Sequence, residues 1–166
     1  MSTVAAASVV ALDGPIGVGK TTLGRSVAAE LQLGFVDGDD HSGPGPWFRT
    51  GLQTSRRIVA ACHAELAQRP AVILAYPLRC INWVFYRETF QRDGVRFHCI
   101  GLIANYESLV SRTRVLSPRE MRRAAEMIAQ GYGQRPFSAL QVRTDQGDFQ
   151  SVARRLAERV RALTGH

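Results

Sequence analysis

A chain of 166 residues, 45% hydrophobic and 21% charged, is about one domain long and buries roughly two thirds of its unfolded surface. No apolar run approaches the length of a membrane span, and Met1–Ser8 is small and uncharged, without the basic region of a signal peptide, so a cytoplasmic protein is expected. The net charge of +7 raises the question of nucleic acid, but no basic ladder interleaved with aromatics accompanies it, and the same charge serves to draw in a polyanionic nucleotide.

The first predicted element is a short buried strand over residues 8–13, around Val9-Val10-Ala11-Leu12. It runs into Gly14-Pro15-Ile16-Gly17-Val18-Gly19-Lys20-Thr21, a complete G-x-x-x-x-G-K-[ST] phosphate loop, with Thr22 next in line. Glycines let the backbone coil until successive N–H groups converge on one phosphate, and the following helix adds its unsatisfied donors and positive dipole end. That helix is predicted over residues 20–33, with Leu23, Val27 and Leu31 at helical spacing and Gly34 closing it. Lys20 reaches the β and γ phosphates of ATP, and the Thr21 hydroxyl ligates Mg²⁺. Among the 21 basic residues Lys20 is the one lysine, a compact point charge on a flexible stem where a phosphate is expected.

Phe35-Val36-Asp37 reads as a second strand delivering Gly38-Asp39-Asp40-His41, and a Gly/Pro-rich loop over residues 42–46 leads to Trp47-Phe48-Arg49. The second helix is expected over residues 51–68, with Leu52, Val59, Cys62 and Leu66 on its buried face and Pro70 as its stop. Residues 71–76 form a continuous apolar run, the pattern of a central strand buried on both faces. An aromatic-rich helix follows over residues 80–93, then a strand over 97–103 and a helix over 106–114. Ser117-Pro118-Arg119-Glu120 is a capping box with proline in the first turn, opening a helix that ends near Gly131. A loop over residues 133–136, a last strand over 139–142 and an amphipathic terminal helix carrying Phe149, Val152, Ala153, Leu156, Val160 and Leu163 complete the chain. Alternating strands and helices imply an α/β fold, a parallel sheet with helices on both faces, and no linker divides residues 1–166. Cys62, Cys80 and Cys99 show no paired or metal-ligand spacing and are expected to pack as small, reduced apolar residues.

Phosphoryl transfer asks for positioning and charge neutralisation, plus a carboxylate to orient the acceptor hydroxyl and take its proton. Asp37 stands at the carboxyl end of a strand, where open α/β sheets place their sites, and Asp39 can face the same cleft. Asp13, just before the loop, reads as a charge behind the phosphate site. The third strand ends in Tyr76 where many P-loop proteins carry an aspartate, which puts more weight on Asp37. Arg112, Arg114, Arg119, Arg122 and Arg123 form a basic cluster whose planar groups suit phosphate clamping and stacking, although Arg122 and Arg123 read as a solvated face. Arg49, Arg57 and Arg79 fall near the acceptor side, with Trp47 beside them as a substrate contact or a lid over the cleft.

In Gly14–Thr22, Phe35-Val36-Asp37-Gly38-Asp39, Arg112-Thr113 and an arginine-rich segment before the last strand, the chain resembles the small P-loop metabolite kinases of the shikimate kinase and gluconate kinase group. Pro46-Trp47 and Tyr86-Arg87-Glu88 look like further gluconate kinase features, although the segment between Asp39 and Trp47 is shorter than theirs, and Tyr76-Pro77-Leu78-Arg79 replaces the Gly-rich turn of shikimate kinases. The resemblance implies a P-loop NTPase fold with a five-stranded parallel sheet ordered 2-3-1-4-5 and an arginine-rich lid over about residues 114–135. It implies that Asp37 holds a Mg²⁺-bound water, Asp39 faces the substrate hydroxyl, Arg112 stacks on adenine, and Arg114 or Arg119 closes over the phosphates. The expected activity is ATP- and Mg²⁺-dependent phosphorylation of a hydroxyl on a small polar metabolite, a sugar acid or shikimate-like acid. A nucleoside or nucleotide kinase is the same-fold alternative, and an ATP-binding regulatory protein without transfer the other.

Overall fold

The computed structural model describes residues 6–166; most of the N-terminal stretch read above for targeting, Met1–Ala5, lies outside the described residues. Five strands alternate with helices: β1 (Ser8–Asp13), α1 (Lys20–Glu30), β2 (Gly34–Asp37), α2 (Trp47–Leu66), β3 (Ala71–Ala75), α3 (Cys80–Arg92), β4 (Arg96–Ile103), α4 (Tyr106–Val110), α5 (Pro118–Ala129), β5 (Leu140–Arg143) and α6 (Phe149–Thr164). All pairings are parallel, in the order β2-β3-β1-β4-β5. Chain connections leave β1 toward β2 on one side and reach β4 on the other, so a crevice opens beyond the carboxyl end of β1.

The continuous apolar runs of β1 and β3 have their reason here, because both strands are covered on two faces. Val10, Leu12, Ile73, Ile100 and Leu102 pack against Leu23 and Val27 of α1 and Leu156 and Val160 of α6. On the other face Val9, Ala11, Val72 and Leu74 meet Ile58 and Cys62 of α2 and Tyr86 and Phe90 of α3. No helix among the described residues is long and apolar enough to cross a membrane.

Several boundaries differ from expectation. α1 stops at Glu30, and the left-handed residue after it is Gln32 rather than Gly34, which lies in β2. α2 begins four residues early, at Trp47 behind the cap residue Pro46, and Leu52 lies outside the buried face, 55% exposed, on the side of the crevice. α4 ends at Val110, leaving Arg112 and Arg114 in irregular chain. Cys62 and Cys99 are buried, their thiols pushed up to about 12 by burial, whereas Cys80 is exposed at the start of α3.

Candidate active site

The loop after β1 forms because its glycines remove atoms that would not fit. Gly19 takes a left-handed φ of 104° immediately before α1. At Gly14 a Cβ would lie 2.5 Å from the Leu102 carbonyl oxygen, so only hydrogen lets the loop cross β4 this closely. Lys20 Nζ folds back to donate to the Gly14 and Pro15 carbonyls at 2.8 and 2.9 Å. Burial pushes its ammonium down to about 8, opposed by the charges of Asp13, Asp39 and Asp37.

Thr21 Oγ1 donates to Asp37 Oδ2 at 2.8 Å, joining α1 to the end of β2. The other Asp37 oxygen accepts the Asp39 amide at 3.1 Å and caps a 3₁₀ turn over Gly38–His41. A hydroxyl and a carboxylate in contact are hard oxygen donors of the type Mg²⁺ takes alongside substrate phosphates and water, so Thr21 and Asp37 fit that ion. Asp39 projects from the turn into the cleft, and burial, then the neighbouring Asp37 charge, raises its carboxyl above the usual aspartate value.

Asp13 is fully buried, and its two oxygens accept the Leu78 amide at 2.7 Å and the Gly133 amide at 2.8 Å. It therefore ties the end of β1 to the chain after β3 and to the chain after α5. Burial raises its carboxyl while the two amides act in the opposite sense.

Arg112 is half-buried and latched to the loop. One terminal nitrogen donates to the Gly17 and Val18 carbonyls, each at 2.9 Å, and the other to the Thr144 carbonyl and hydroxyl at 3.0 and 2.8 Å. Arg114 pairs with Glu120, which also closes the predicted capping box with Ser117. Arg119, in the first turn of α5, is exposed and makes no side-chain hydrogen bond or ion pair with the described residues.

The cleft beside Lys20 encloses about 530 Å³ and reaches Ile16 of the phosphate loop, α2, the turn after β3, α3 and α5. Of the residues anticipated for the acceptor, Asp39, Trp47 and Arg79 line it; Arg49 and Arg57 do not, being exposed elsewhere on α2. Arg79 lies 3.6 Å over the Trp47 ring and donates Nε to the Tyr132 hydroxyl at 3.1 Å. Arg123, read from sequence as a solvated arginine, lines the cleft instead, one of its nitrogens 3.2 Å from Glu126. Tyr76, Phe85, Met127 and Tyr132 also line it. Of the aromatics of α3, Tyr86 and Phe90 are buried in the core, but Phe85 faces the cleft.

No family model matches the chain. It is 38% identical over 76 residues to a shikimate kinase of Hahella chejuensis, a match covering 40% of this chain and only 38% of that protein. It is 32% identical over 122 residues to a shikimate kinase of Pseudomonas syringae pv. tomato, covering 69% of each. Among solved structures it superposes on a gluconokinase from Sinorhizobium meliloti with a TM-score of 0.59 and 20% identity, covering 96% of this chain and 98% of that one, which shows a shared fold.

Proposed function

Because the chain belongs to the shikimate kinase and gluconate kinase group of P-loop kinases, we propose that it transfers the γ-phosphate of ATP to a hydroxyl of a small hydroxy acid, of the sugar-acid or shikimate-like kind. The observation that carries this reading is that Lys20, at the end of the phosphate loop, and Asp39, in the turn after β2, line one cleft of about 530 Å³, a volume suited to one small molecule.

In this reading the loop amides and Lys20 hold the β and γ phosphates, and Thr21 and Asp37 hold Mg²⁺, which supplies charge neutralisation there. Asp39 orients the acceptor hydroxyl and takes its proton as the oxygen attacks the γ phosphorus and the bond to the β-phosphate oxygen breaks. Its raised pKa brings it nearer to the basicity a general base needs. Arg79 faces the acceptor's acid group. Arg112 has both terminal nitrogens committed to the loop and Thr144, which leaves the flat face of its guanidinium for adenine. Arg119, without a side-chain partner among the described residues, is the arginine that closes over the phosphates, carried on a lid over about residues 114–135.

The test is ADP release by wild type and Lys20→Ala over a metabolite pool containing sugar acids, shikimate, nucleosides and nucleotides. Acceptor-stimulated turnover is expected from the wild type, and a loss of at least about a hundredfold from the variant, as for removal of one preorganised charge contact. Tight ATP binding with no acceptor stimulating turnover would mean a regulatory nucleotide-binding protein.

A further inference from the structure

The wall of the acceptor cleft is more apolar than a sugar acid requires. Trp47, Phe48 and Leu52 of α2, Ile81 and Phe85 of α3 and Met127 of α5 all line it. Of the eight large hydrophobic side chains exposed among the described residues, four are here: Trp47 at 52%, Phe48 at 67%, Leu52 at 55% and Ile81 at 71%. Scattered singly, exposed apolar residues need no explanation, but gathered around a concave site they mark a ligand with an apolar surface.

Two of the neutral polar groups in the same wall are partly engaged by the protein itself. The Ser55 hydroxyl accepts from the Tyr86 hydroxyl at 3.2 Å, and Asn82 Oδ1 accepts the Arg79 amide at 2.7 Å. A polyhydroxylated acceptor would exchange water for carbon along the faces of Trp47, Phe48, Leu52 and Ile81, and the hydroxyls lying there would lose hydration with few partners in return. Charge is concentrated instead: Lys20 and Asp39 at the phosphate loop, Arg79 and Arg123 between the turn after β3 and α5.

We propose that the acceptor is an amphiphilic hydroxy acid with few hydroxyls. One hydroxyl meets Asp39 and Lys20, an aromatic or cycloaliphatic body lies against Trp47, Phe48, Leu52 and Ile81, and a carboxylate meets Arg79 and Arg123. This rests on the kinase reading and, within the small hydroxy acids, moves the acceptor from a sugar-acid or shikimate-like compound to a more apolar one. In the transfer the acceptor oxygen bonds to the γ phosphorus, ADP leaves with the electrons of the broken bond, and the hydroxyl proton passes to Asp39.

Two measurements on the full chain test it. Calorimetry in the presence of ADP and Mg²⁺ compares 4-(hydroxymethyl)phenylacetate and 3-phenyllactate with shikimate, gluconate, thymidine and AMP, and ADP release compares the same compounds as acceptors. The aromatic hydroxy acids are expected to bind at least tenfold more tightly than shikimate or gluconate and to be phosphorylated in preference. The Leu52→Ser/Ile81→Ser double variant alters only exposed side chains, so its thermal midpoint should match wild type, and its aromatic-over-shikimate ratio should fall at least fivefold. Preference for shikimate, gluconate, thymidine or AMP, an unchanged ratio in the double variant, or no binding of either aromatic acid overturns the proposal. Tight binding of the aromatic acids with no phosphoryl transfer to any compound would refute the kinase reading while supporting the amphiphilic cleft, so the two failures are distinguishable.

Discussion

Lys20 and the two aspartates across from it set the pH behaviour expected of the site. Burial holds Lys20 at about 8, and a lysine is charged only below its pKa. The contact with the phosphates is therefore fully present below about 8 and lost as the pH rises through it. kcat/KM for ATP reports the free enzyme and should fall across that range, while kcat should persist to higher pH because bound phosphates favour the charged ammonium. A kcat/KM that stays flat to about pH 10, near the value of an ordinary lysine, would contradict this. A base must be unprotonated, so activity should also fall as pH drops through the raised pKa of Asp39, placing the acid limb above that of an ordinary aspartate. Asp39→Asn should slow transfer by roughly a hundredfold or more while ATP affinity holds, the loss of a general base. Asp37→Asn should instead raise the Mg²⁺ concentration needed for half-maximal rate by about 10- to 100-fold, because Thr21 and the ion would share a neutral partner. Titrating both variants with Mg²⁺ separates the two roles, and identical curves would mean that one carboxylate has been given the other's task.

At the scale of elements, local signals decided where α5 begins and tertiary packing decided where α2 begins. The Ser117–Glu120 capping box is present as its sequence implies, with both reciprocal hydrogen bonds made. Ser117→Ala removes the acceptor for the Glu120 amide and should cost about 1 kcal/mol of helix stability. Because α5 starts at an exposed end, the cost should show as faster hydrogen exchange over the first turn of α5, with a thermal midpoint within a few degrees of wild type; unchanged exchange would show that the cap is dispensable. α2 has no such box. It begins at Trp47, capped only by Pro46, and its first turns carry apolar side chains toward the cleft before the core face with Ile58 and Cys62 begins. Periodicity cannot separate a leucine that faces the core from one that faces a cleft, and for that reason Leu52 was misplaced.

For the molecule as a whole the most consequential residue is Asp13. One buried carboxylate gathers the end of β1, the turn carrying Arg79 and the loop carrying Tyr132, and so positions the cleft's lining relative to the phosphate loop. Asp13→Asn keeps the shape but turns an NH₂ toward one of two amide donors, leaving a buried N–H without an acceptor at a cost of about 2 kcal/mol. The thermal midpoint should drop by about 4–8 °C for a chain of this size. A variant as stable as wild type would show that water takes over the lost bond.

What the sequence determined by itself was everything carried by local chemistry or by strict periodicity. The phosphate loop and the α5 cap are contacts between positions a few residues apart, and the order of strands and helices and the doubly buried strands show in local periodicity and unbroken apolar runs. The strand order 2-3-1-4-5 came through family resemblance and is the order observed. Only the tertiary structure decided which distant side chains meet. It latched Arg112 to Gly17, Val18 and Thr144, brought Arg123 into the cleft, left Arg49 and Arg57 outside it, and made Asp13 a junction between segments 65 and 120 residues away. Such contacts depend on how helices rotate against a twisted sheet. That rotation is set by the summed packing of the core, and no single stretch of sequence records it.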